Sequence, residues 1–215
     1  MQRAMQKFAI GLMAVFFCSL AVEAQRIGKY VPIASGSDAD HAMQEIVAAT
    51  DPAQKLSLID KFAATFGQGN MAIVADELYV NYYLAQKNYP KTYEYGDKLF
   101  AVDPDNLANA VNLVRAASEA GDTAKLVAYG ETSSAILKRF RESSASTEEK
   151  QNALQASADS IQYIAQAVYA GVYQTKDPTK RAEQLAHFAE LFPDSPYAIP
   201  ALGVAAASYQ AAQNA

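Results

Sequence analysis

Tyr83–Asn106 reads YLAQKNYPKTYEYGDKLFAVDPDN. Lys87-Asn88 is a polar turn, Tyr89 to Val102 reads as a helix, and Val102-Asp103-Pro104 closes it, because the residue before a proline is pushed out of the helical region. Sliding the chain against itself by 34 residues lays Tyr95-Gly96-Asp97 on Tyr129-Gly130-Glu131, Lys91 on Lys125, and Lys87-Asn88 on Gly121-Asp122. A helix–turn–helix unit repeating with that period is expected.

The same pattern extends in both directions. Helical spacing begins near Asp38. Asp51-Pro52 starts a helix, since Asp caps and Pro fits the first helical position. Gly67-Gln68-Gly69-Asn70 stops it. Further helices are expected to about Gln86, over Tyr89–Val102, over Leu107–Ala120, and from Thr123 to about Arg141. Ser146 or Thr147 caps a long helix that runs to about Gln174, with Glu148 and Glu149 suited to its N-terminus. Asp177-Pro178 starts another, and Pro193-Asp194-Ser195-Pro196 separates it from the next. A second offset, of 126 residues, lays Asp51-Pro52 on Asp177-Pro178, Phe62-Ala63 on Phe188-Ala189, Phe66 on Phe192, Ala72-Ile73 on Ala198-Ile199, and Tyr83 on Tyr209. The C-terminal hairpin thus repeats the N-terminal one, and the final helix is expected to act as a terminal cap.

The 34-residue period, with Tyr83, Asn88-Tyr89 and Val102-Asp103-Pro104 at their places in it, resembles the tetratricopeptide repeat. The junction Phe188-x-x-x-Phe192-Pro-Asp-Ser-Pro-Tyr-Ala198 is similar to those of bacterial periplasmic members. The resemblance implies an all-α fold: a right-handed superhelical stack of antiparallel helix hairpins, an α-solenoid over residues 38–215. Such stacks bury a continuous core and line a groove with the first helix of each pair. Residues 25–37, with Pro32 and Gly36, read as a flexible lead-in.

Residues 1–24 read as a secretory signal. Arg3 and Lys7 are positive, Phe8 to Val22 is a 15-residue run without charge, and Val22 and Ala24 place small residues before a cut at Gln25. Cleavage leaves 16 basic and 22 acidic residues, net −6, and removes Cys18, the sole cysteine. The expected location is periplasmic or secreted. No later apolar run reaches about 18 residues, so no membrane insertion is expected after cleavage. Lys and Arg are not gathered on one face, so nucleic acid is not an expected partner.

Little in the chain points to chemistry. His41 and His187 have no second His or Cys at ligand spacing, so no metal is expected. Gly67-x-Gly69 reads as a helix stop rather than a phosphate cradle, and no other cofactor fingerprint is present. Acidic pairs such as Asp76-Glu77 and Glu148-Glu149 are neighbours on helices and face apart. No catalytic residue is expected, and a hydrolase is a remote alternative. Tyr79, Tyr82, Tyr83, Tyr89, Tyr93 and Tyr95 crowd one stretch. Packing is the first expectation for them, a ligand groove the second.

Tetratricopeptide domains that grip a peptide carboxylate project two Asn and several basic residues from successive first helices. By that resemblance Asn81 and Asn112 fall at the Asn positions, Arg115 lies one turn beyond Asn112, and Glu77 stands where the first clamp Lys belongs. The expected function is a non-catalytic scaffold that binds a segment of another protein or peptide. The alternative is a structural subunit of an envelope assembly complex.

Overall fold

The computed structural model of the protein describes residues 26–213; helices are the regular elements from Asp38 onward, and no strand occurs among the described residues. The expected signal, Cys18 included, lies outside the described residues. The helices are α1 (Asp38–Ala48), α2 (Pro52–Phe66), α3 (Met71–Ala85), α4 (Tyr89–Val102), α5 (Leu107–Ala120), α6 (Thr123–Glu142), α7 (Thr147–Ala156), α8 (Ala158–Tyr173), α9 (Pro178–Leu191) and α10 (Ala198–Gln213).

Local chemistry sets most of these boundaries. Asp51, Asn88, Asn106, Asp122 and Asp177 each accept a hydrogen bond from the backbone N–H three residues on, satisfying a donor the helix leaves open. Pro sits in the first turn of α2, α4 and α9, where its missing N–H costs nothing. Ser146 and Glu149 form a reciprocal capping box on α7. Gly121 ends α5 in the left-handed conformation, φ 67°.

Consecutive helices pack on one another except at α6 and α7, where α6 packs on α8 instead, and α5 also packs on α3 and α8. The main core runs from Leu84 through Leu113, Leu126, Ile136, Ile164 and Leu185 to Ala201. Ile46, Ile59, Phe62 and Tyr79 form a second cluster among α1, α2 and α3. Ile73, Val80 and Leu99 form a third, between α3 and α4.

Two expectations about organisation are corrected. The helix expected from Ser146 to Gln174 is broken at Ser157, which ends α7 and begins α8. Ala153 is the buried residue of α7, whereas α8 buries Ile164, Ala165, Val168 and Val172. The packing demand of α8 therefore does not extend to α7.

The first part of the lead-in, residues 26–31, is anchored to the helices rather than loose. Ile27 is 2% exposed and belongs to the main core. Its carbonyl accepts from Leu107 N–H. Lys29 N–H donates to the buried Asp103 carboxylate at 2.9 Å, and Lys29 Nζ donates to Val102 O at 2.7 Å. Val31 packs on the Ile73–Val80–Leu99 cluster. The segment is a strap pinned across the α4–α5 turn by Ile27 and Val31 and by a set of backbone and carboxylate bonds.

Candidate functional site

The polar residues picked out by the repeat register lie on α3 and α5, which pack side by side. Asn112 Nδ2 donates to Asn81 Oδ1 at 3.1 Å, across 31 residues of sequence. Asn81 is exposed and Asn112 half-buried, so both amides keep groups free for solvent or a ligand. Arg115, exposed one turn along α5, sets its guanidinium 5.8 Å from the Tyr163 ring centroid of α8. That distance suits a cation–π contact. The structure thus brings Asn81, Asn112, Arg115 and Tyr163 into one row across three helices.

Glu77 is differently employed. It pairs with Arg26 of the strap and accepts from Asn106 Nδ2 at 3.0 Å. Asn106 is itself fully buried and caps α5 through Asn109 N–H. Glu77 therefore holds strap, α3 and the start of α5 together. Its negative charge is matched within the protein, and it is not a free acid facing a ligand. Sequence position alone gave no sign of Arg26, 51 residues away.

The tyrosines divide between packing and surface. Tyr79 and Tyr93 are buried, and Tyr82, Tyr83, Tyr89 and Tyr95 are half-buried. Tyr95 stacks on Tyr79 at 4.2 Å and on Tyr83 at 5.4 Å between ring centroids. Lys98 Nζ lies 4.2 Å from the Tyr95 centroid, and Tyr79 OH donates to Asp60 at 2.7 Å. Burial, then this carboxylate, pushes the Tyr79 phenol far above its ordinary range. These rings pack α2, α3 and α4 together.

Neither histidine gathers ligands for a metal: among the described residues no cluster of three or more His, Cys, Asp and Glu occurs. His187 Nε2 lies 2.8 Å from Glu131 and joins α9 to α6. A cleft of about 390 Å³ opens between α6, α8 and the α9–α10 loop, with Leu137, Ile161 and Phe192 in its wall and Arg141 at its edge. It had no signal in the sequence, because its walls come from separate helices.

No family model matches the chain, and no curated protein or solved structure does either. Function rests on the surface itself.

Proposed function

We infer that this protein is a non-catalytic scaffold, exported to the cell envelope, that holds an extended segment of another protein across α3, α5 and α8. The reading includes the finer architecture: tetratricopeptide-like hairpins α1–α2, α3–α4, α5–α6 and α8–α9, stacked as a right-handed superhelix with α3, α5 and α8 on its inner face. The observation that carries it is the Asn112–Asn81 hydrogen bond. It fixes two amides from successive first helices in one row and leaves the Asn81 N–H groups and the Asn112 carbonyl for a bound backbone. Such groups read a peptide chain without regard to its side chains. Arg115 and Tyr163 continue the row with a cation and an aromatic face. The net charge of −6 after signal cleavage favours basic or neutral segments over acidic ones in encounter.

The test is Asn81→Ala with Asn112→Ala. Cross-linking in envelope extract should capture a defined partner with the wild-type protein. The double variant should lose about tenfold or more in affinity while its thermal midpoint moves little, as for surface positions. Unchanged affinity in the double variant would reject this face. Mass spectrometry of the exported protein should give Gln25 as its first residue.

A structural subunit of an envelope assembly is the second reading. It is favoured by an apolar stripe that α10 leaves exposed.

A further inference from the structure

Ile199, Leu202 and Tyr209 are 83%, 52% and 41% exposed. With Ala206 they lie on one side of α10, at spacings of three, four and three residues. A single exposed apolar side chain is ordinary, but a continuous stripe marks a face meant for contact.

The chain contains a covered version of the same face. At the 126-residue offset Ile199 corresponds to Ile73 and Ala206 to Val80 of α3. Ile73 and Val80 are buried against Leu99 of α4. Leu202 stands where α3 carries Asp76, so the α10 face is the more apolar of the two. The other side of the two helices also corresponds: Ala201 and Ala205 are buried in α10 as Ala75 and Tyr79 are in α3. The α10 stripe is therefore built as a helix-packing surface, and among the described residues no helix lies on it.

We propose that a second copy of this chain covers it, α10 lying antiparallel on the other copy's α10 about a two-fold axis near residue 204. The stripe is symmetric about that point. Ile199 meets the second copy's Tyr209, and Leu202 meets its Ala206, so a large side chain faces a small one at the centre. Gly203 stands in open space beside the axis and lets the helices approach. No charged residue occurs in α10, although the chain as a whole is acidic; Arg181 of α9, which lines the hollow beside Gly203 and Tyr173, donates to Ser208 Oγ at 2.9 Å. Head-to-tail stacking fits worse. It presses the stripe onto α1, where Asp38, His41, Gln44 and Glu45 are exposed and would be buried without partners. Tyr173, half exposed beside Gly203 and Ala207, widens the apolar area. A standard interface buries about 800 Å² per partner. One side of a four-turn helix offers less, so the dimer dissociates on dilution.

Sedimentation equilibrium of the purified protein over roughly 1 µM to 1 mM, where weak interfaces dissociate, should show the mass rising from one chain toward two. Leu202→Glu should move half-association to about tenfold higher concentration or beyond, with helicity and thermal midpoint unchanged because the position is exposed. Gly203→Cys, in a chain with Cys18→Ser, should form a disulfide-linked dimer on mild oxidation. This second variant stands even if Leu202→Glu folds poorly, since a Cβ at 203 meets no atom within 4 Å. A one-chain mass throughout the range would overturn the proposal, as expected if a following segment of a longer chain covers α10 instead. A doubled mass without the cross-link at 203 would overturn it too, by assigning association to another face.

Discussion

Lys87 and Gly121 occupy the same point of the 34-residue repeat, and both have left-handed backbone, with φ of 53° and 67°. Glycine adopts that conformation freely, whereas a side chain strains it by roughly 1–2 kcal/mol. Equivalent positions should therefore respond with opposite signs. Gly121→Val should cost about 1–2 kcal/mol from backbone strain alone, since an added Cβ there meets no atom within 4 Å. Lys87→Gly should stabilise by about 0.5–1 kcal/mol, the relief of strain being partly offset by the greater freedom of glycine in the unfolded chain. Urea midpoints of both variants check this. A loss in both would mean that Lys87 is held by its side chain rather than strained by its backbone. The Gly121 turn was legible because glycine before Asp is itself a signal. Lys carries none, and only the match between repeats points to Lys87. The repeated Tyr-Gly-acid triplet has a packing reason. A Cβ on Gly96 would stand 2.5 Å from Leu113 Cδ2, and one on Gly130 would stand 2.9 Å from Val168 Cγ2. Gly96 lies where α4 crosses α5, and Gly130 where α6 crosses α8.

Helix ends were the most legible elements, because caps act over three or four residues and their chemistry is written locally. Asp51-Pro52, Ser146 with Glu149, and Asp177-Pro178 all start helices where the sequence places them. The break at Ser157 has no local breaker and follows from which helices α8 must reach. The strap was missed for the same kind of reason: Lys29 and Asp103 are 74 residues apart. Its local clues are Ile27 and Val31, apolar residues among polar ones at the start of the segment. Because Ile27 is almost fully buried, Ile27→Ala should destabilise by about 2 kcal/mol, the low end for an Ile truncation, since a segment held at few points relaxes into the space. Lifting the strap should also free the backbone beside Lys29, whose side chain is already exposed, for attack by trypsin. Faster cleavage after Lys29 with unchanged helicity is the expected result. Equal cleavage rates would mean that the hydrogen bonds to Asp103 and Val102 hold the strap without Ile27.

Across the molecule, Asn81, Asn112 and Arg115 were picked out by the family resemblance rather than by the period itself, since a 34-residue shift lays Asn81 on Arg115 and the bonded Asn pair is 31 residues apart. The roles of Glu77 and the α6–α8 cleft were not legible, because they depend on side chains brought together from distant segments. Tyrosines draw the packing of several helices into one measurable property. Burial raises the phenols of Tyr79 on α3, Tyr93 on α4 and Tyr129 on α6. Tyr93 is pushed up to about 12 from an ordinary 10.0. The fold favours the neutral phenol, so its contribution is fully present below pH 10 and is lost as the pH rises through about 12. The urea midpoint should accordingly fall between about pH 9 and about pH 11.5. Tyrosinate absorbance should show a late-titrating group that joins the others once the chain is unfolded. Tyr93 allows a cleaner test, because its hydroxyl is buried with no hydrogen-bond partner. Burying an unpaired polar group costs about 1–3 kcal/mol, so Tyr93→Phe should leave stability at neutral pH unchanged or raised by up to about 1 kcal/mol. It should also reduce the alkaline loss, since one of the phenols that the unfolded state ionises first is gone. A variant markedly less stable at neutral pH would show that the hydroxyl is paired in solution. An alkaline profile identical to that of the wild type would show that Tyr93 is not held neutral by the fold.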